Sequence, residues 1–339
     1  MAQVKITNHT ACEHQVLFAN DENFRPIVCP IIKATFDIAN DGTLKFAKKQ
    51  VPVNLEGEYS ADPESSSYIY EPECAFIKPT TDVVVIGDAI STFGPLTHLL
   101  VEIQVGSLYQ KIGVIGDREW VKQAVGYAIS EPQPFERMPL VYENAFGGWD
   151  KRAGDASKQG FEPRNTVGKG FYVDTGEPVT EPMYLPNLEN PDQLIQKISD
   201  RPEPVSCGFT LPHWQPRVGY AGTYDDAWTN SRSPMLPLDF DRRYFNAANA
   251  NLTADSYLKG NEPVRLCNLT HVPEFHFQLP GVKSPYVELE FPDGVEQFHT
   301  NLDTIIINLH DMQLQMIWRN YFQLENGPHD LDAIDIRYG

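Results

Sequence analysis

The stretch from Gly208 to Phe245, GFTLPHWQPRVGYAGTYDDAWTNSRSPMLPLDFDRRYF, constrains the fold more than any other part of the chain. It carries three glycines, four prolines, two tryptophans, three tyrosines and four aspartates, with no apolar run long enough for an ordinary core element. Proline fixes φ and removes a backbone donor, whereas glycine admits positive φ. Large rings then supply the burial that a solvated loop lacks. The stretch therefore reads as an ordered, irregular platform, a kind of structure that is costly to keep unless something uses it.

Around this platform the hydrophobic pattern is that of strands. Lys33 to Ile38 alternates with period two, Asn40-Asp41-Gly42 offers a tight turn, and Leu44 and Phe46 resume the alternation, which predicts a hairpin. Residues 82–87 hold a short continuous apolar run suited to burial on both faces. Val101, Ile103 and Val105 then alternate ahead of a partner strand at 111–115. Phe275, Phe277 and Leu279 alternate with polar residues, as do Val287, Leu289 and Phe291. A last hairpin is expected from 304–309 and 313–319, turning at His310-Asp311.

The segment 126–190 is rich in proline, glycine and charge and reads as long ordered loops. A helix is expected from Pro191, with Asn190 as cap, Leu194, Ile195 and Ile198 on one face, and a stop at Arg201-Pro202. A second, short helix is expected to start at Thr223, which stands in capping-box spacing to Asp226. The acidic tail beyond Phe322 is expected to fray. The fold class is thus mainly β: two packed β-sandwich-like lobes with long ordered loops and one or two short helices. The boundaries fall at 1–125, 126–205 and 206–339, with one continuous domain as the alternative.

Forty-six acidic residues face twenty-seven basic ones, a formal charge of −19, and no run of five or more Lys/Arg occurs. A reader of nucleic acid or of an anionic membrane needs a basic face, so neither partner is expected. The five cysteines are scattered without a C-x-x-C pair and read as reduced, packed thiols. The N-terminus lacks the pattern of a signal peptide, and no segment approaches the roughly 20 apolar residues of a membrane helix. A cytoplasmic location is expected.

Motifs for chemistry are weak. Gly168-Lys169-Gly170 lacks the upstream glycine and the following Ser/Thr of a phosphate-binding loop. The nine histidines form no compact ligand pair. Asp225-Asp226 beside Trp228, together with Glu143, could serve a glycosidase, but Asp226 is also accounted for as a helix cap. No catalytic residue, cofactor or metal is therefore expected. The alternative function is a carbohydrate-active or carbohydrate-binding protein using aromatic platforms around Trp149, Trp214 and Trp228.

Several phrases stand in order along the chain: KATF from Lys33, KPTTDV from Lys78, GDREW from Gly116, YENAFGG from Tyr142 and VGKGF from Val167. They continue with HWQPR from His213, GTYDDAW from Gly222, LPLDFD from Leu236 and GNEPV from Gly260. Together they resemble a bacterial family, domain of unknown function 2169, whose members act as adaptors or chaperones in type VI secretion. The sequence departs from the family pattern at Thr166, where proline is expected, and at Ala248 to Leu252, which lacks an Asp-Gln pair. The resemblance implies a non-catalytic cytosolic protein. Its partners would be a secreted toxin effector, the toxin's spike-tip domain and the trimeric spike.

Within that reading, Asp82, Asp117, Arg118 and Arg217 are expected to be buried ion pairs or turn formers. Trp214 and Trp228 are expected to lie buried against the scaffold. Partner contacts are expected among Trp149, Arg152, Lys169, Trp214, Arg217, Tyr224 and Trp228. The span from Asp150 to Gln159 is expected to form an exposed crown between pinned, glycine-rich ends.

Overall fold

A computed structural model describes residues 4–173 and 182–338. The longest strand shows why the chain is built from sheets. It runs from Pro26 to Ile38, PIVCPIIKATFDI, and all but its first residue and Asp37 are buried. Two β-branched or apolar faces at once place it inside a sheet with material on both sides.

In chain order, the strands that organise the fold are β1 (Lys5–Asn8), β2 (Glu13–Asn20), β3 (Pro26–Ile38), β4 (Leu44–Phe46) and β5 (Asp82–Ile86). They continue with β6 (His98–Val105), β7 (Leu108–Ile115), β8 (Leu188–Glu189), β9 (Pro263–Cys267) and β10 (Glu274–Gln278). The last are β11 (Tyr286–Phe291), β12 (Gly294–His299), β13 (Asn301–Asn308), β14 (Gln313–Arg319), β15 (Phe322–Gln323) and β16 (Ala333–Arg337).

A seven-stranded sheet has the order β2-β3-β14-β13-β5, with β4 and β15 also paired to β3. A five-stranded sheet has the order β8-β7-β6-β9-β10, and a four-stranded sheet the order β1-β16-β11-β12. Both larger sheets combine strands from residues 1–125 with strands from 206–339, and β8 from the middle segment joins the five-stranded sheet. One continuous core joins all three, with Ile32, Ile103 and Val287 each wholly withdrawn from solvent.

The hairpins read from the alternation are present: β3 with β4, β6 with β7, and β13 with β14. Gly42 turns the first at φ +83, and a Cβ there would strike the carbonyl of His276, so the turn also seats the edge of β10. The protein is mainly β.

Three local expectations fail. Residues 191–200 form turns instead of a helix, because side chains capture the amides a helix would need. Glu189 accepts from the Ile195 amide at 2.8 Å, and Asp200 accepts from the amides of Gln196 and Lys197 at 2.9 and 2.8 Å. Ile195 instead fills a small second core with Trp120, Phe146, Met183 and Leu185. The short helix α1 spans Asp226–Ser231, and its cap is Asp225, which accepts from the Trp228 amide, not Asp226 or Thr223. Thr223 binds the Asp239 carboxylate instead. The tail does not fray: β16 lies between β1 and β11 with Ile334 and Ile336 buried, so its apolar alternation outweighs its acidity.

Candidate docking cleft

The platform is closed from inside by one guanidinium. Arg217 donates from Nε to the Tyr244 carbonyl at 2.7 Å and from Nη1 to the Thr210 carbonyl at 2.6 Å, thereby joining its two ends. Its Nη2 binds Glu71. Glu71 also pairs with Lys78, and the Lys78 ammonium lies 2.8 Å from Asp82. Asp82 accepts from the Asn246 side chain and the Ala247 amide, each at 2.8 Å, just past the platform.

This chain of contacts belongs to a larger buried charge network. Lys33 pairs with Glu73 at 2.6 Å, and Arg319 pairs with Asp303. Four bases, Lys33, Lys78, Arg217 and Arg319, are thereby balanced by four acids, Glu71, Glu73, Asp82 and Asp303. Burial alone would lower the Lys78 ammonium, but Asp82, Glu71 and Asp303 outweigh it and raise it. Burial raises the Asp303 carboxyl against the pull of Arg319 and Lys78. Buried charges are tolerated when paired and hydrogen-bonded, and losing one partner is then expensive.

A second lock sits beside the platform. Asn165 is fully buried, and its Nδ2 donates to the carbonyls of Tyr142 at 2.8 Å and Phe146 at 3.0 Å. Gly147 and Gly148 pass over it at φ +154 and +92, where added Cβ atoms would strike the carbonyls of Asn165 and Gly168. The glycines of the YENAFGG and VGKGF phrases thus allow two backbones to cross in contact. Lys169 stands in the short pairing of 146–147 with 169–170, half-buried, and burial lowers its ammonium.

Against these locks the platform leaves a cleft of about 450 Å³. Its wall combines Tyr142, Pro79, Pro204, Pro216, Ala248 and Ala250. Three arginines reach it, and each already has a carboxylate: Arg164 has Glu162 at 2.7 Å, Arg217 has Glu71, and Arg243 has Asp241 at 2.6 Å while stacking on Tyr220. A smaller hollow of about 200 Å³ adjoins it, sharing Glu203, Pro204 and Asn249.

The seven anticipated contact residues divide by exposure. Trp149 is 51% exposed and Tyr224 53%, so both rings are available. Trp149 stacks on Phe161 at 4.3 Å, with Lys151 over its ring. Trp228 is half-buried, its indole donating to the Met235 carbonyl at 2.8 Å. Trp214 is wholly buried and donates to Thr166. Arg217 is the internal clasp. Arg152 is turned inward: it pairs with buried Asp150 at 2.8 Å, donates to the Val173 carbonyl and lies over Tyr172. The crown from Asp150 to Gln159 therefore has a buried foot and an exposed top.

Asp82, Arg118 and Arg217 are buried ion pairs, Arg118 with Glu189, and Asp117 accepts from Asn187. Two of the carboxylates considered for sugar chemistry are separately engaged, and Asp226 is exposed in the first turn of α1. Asp225 caps α1, whereas Glu143 accepts from Ser60 and Ser67. Among the described residues, no three His, Cys, Asp or Glu side chains converge as a metal would require. No described helix is long and apolar enough to cross a membrane.

Sequence reasoning missed the cleft itself. Tyr142, Glu203, Arg243 and Asn249 come together only through folding, and no spacing links them. One signal was present: Ala248 to Leu252, where the chain departs from the phrase pattern, supplies part of the wall. A model of a family described as an uncharacterized protein conserved in bacteria (DUF2169) matches residues 23–319. No curated protein and no solved structure matches the chain.

Proposed function

We propose, for a chain that belongs to the bacterial family of domain of unknown function 2169, that it is a non-catalytic adaptor or chaperone for a type VI secretion effector. It works in the cytoplasm, holding the toxin or its spike-tip domain until the toxin is loaded onto the trimeric spike. The observation that carries this reading is the platform cleft. It is preformed, largely apolar, and walled by arginines whose charges are already met within the chain, which suits recognition of another surface better than a reaction. Trp149 and Tyr224 add exposed rings of the type that carries interface energy.

The rigidity of the platform supports the same role. Arg217, Asp82 and the Asn165 lock hold the cleft's walls before any partner arrives, which reduces the ordering cost of association. The experiment is co-purification of the chain with candidate type VI toxins from the same genome, followed by reconstitution with the spike protein. Capture of the toxin, and its transfer to the spike, is the expected result. Turnover of a glycoside that is lost in Asp225→Asn or Asp226→Asn would replace the adaptor reading with the carbohydrate one.

A further inference from the structure

Resting on the adaptor reading, we propose that the platform cleft takes an extended peptide segment of the partner, one that joins apolar side chains to lysine or arginine. The shape and lining argue for the apolar part. Pro79, Pro204 and Pro216 offer no backbone donors, so at these three points the wall meets its occupant through side-chain contact rather than strand pairing. Tyr142, Ala248 and Ala250 complete an apolar trough, which the adjoining hollow prolongs beyond Pro204.

The charges argue for the basic part. Arg164, Arg217 and Arg243 are each neutralised by a neighbouring carboxylate. Glu203 and Asp255 on the rim are exposed, as is Asp192 in the adjoining hollow, and no ion pair or hydrogen bond engages these carboxylates among the described residues. Lys111, over the ring of Tyr109, is a cation facing them in that hollow. Glu203 also lies within electrostatic reach of Arg164, but Arg164 already holds Glu162, so the three carboxylates exceed the remaining cation, Lys111, and the formal balance of the groove is negative, on a chain whose formal charge is −19. Such a field attracts a cationic segment and disfavours an acidic one.

The probe is a short fluorescein-labelled peptide with leucine and proline at its centre and lysine at both ends, titrated by anisotropy against the full chain. Two controls replace the lysines by glutamate or the central residues by serine. The lysine–leucine peptide is expected to bind, and both controls to bind at least about tenfold more weakly. Ala250→Trp, at an exposed wall position, should weaken binding at least about tenfold by filling the trough. The Glu203→Gln/Asp255→Asn double variant should weaken it several-fold, with the difference shrinking as salt rises.

Equal binding of the glutamate peptide overturns the proposal, as does undiminished binding to an Ala250→Trp protein that melts like wild type, or no binding of any peptide. The adaptor reading is tested apart from it by the toxin itself. If both groove variants still capture the toxin at wild-type affinity, the adaptor stands and the groove assignment falls. If the peptide binds as expected and the toxin is never captured, the groove stands and the adaptor falls.

Discussion

The Lys78 ammonium lies 2.8 Å from the Asp82 carboxylate, both out of solvent, and Asp82 also accepts hydrogen bonds from Asn246 and Ala247 where the platform rejoins the scaffold. One ion pair therefore ties β5 to the cleft. Removing one member leaves the other charge buried and unmatched. Asp82→Asn or Lys78→Met should each lower stability by about 3 to 5 kcal/mol. Denaturant titration checks this, and the Lys78→Met/Asp82→Asn pair, which removes both charges and keeps an acceptor for Asn246 or Ala247, should cost less than the two single losses added.

Gly147→Ala tests the crossing of backbones over Asn165. The new Cβ meets the Asn165 carbonyl, and φ +154 is strained for any residue with a side chain. A loss of about 1 to 3 kcal/mol from backbone strain, with the clash added, is expected in thermal or denaturant unfolding. Gly154→Ala, where an added Cβ meets nothing, is the matched control.

The pH dependence follows from Asp150. Burial alone would raise its carboxyl, but the Arg152 side chain and the amides of Val173 and Arg152 outweigh burial and hold it below the usual carboxylate range. A depressed folded-state value contributes stability that is complete above the unfolded Asp value, about pH 4, and is lost as pH falls through the lower folded one. Melting temperature should thus fall on acidification below about pH 4, and less steeply in Asp150→Asn. Parallel curves would assign the acid sensitivity to other carboxylates.

The two platform tryptophans should separate. Trp214 is wholly buried against Tyr142, with ring centroids 5.1 Å apart, so Trp214→Ala should cost about 3 to 5 kcal/mol. Trp228 is half-buried, and Trp228→Ala should cost clearly less in the same unfolding experiment.

The sequence displayed what repeats and withheld what converges. β3 and the hairpins were legible from alternation and β5 from its continuous apolar run, both local signals, and Lys33, Asp82 and Arg217 stood out within phrases shared with a family. The turn at 191–200 was not legible: Glu189 and Asp200 capture its amides, and that choice depends on Ile195 entering a distant core with Trp120 and Met183. Nor could spacing show that Arg217 would be a clasp and Arg152 an inward brace, since an arginine's partners are set by tertiary contact. The cleft was invisible for the same reason. Its walls come from residues 79, 142, 204, 216 and 248–250, which share no period.

Affinity of the purified chain for the type VI effector proposed as its partner, taken from the same genome and measured by calorimetry for wild type and for Ala250→Trp, tests the central claim most directly. The cleft account predicts tight association for wild type and a loss of at least about tenfold, roughly 1.4 kcal/mol or more, for a variant whose melting temperature is unchanged. Wild-type affinity in that variant would contradict it and move the docking face away from the cleft.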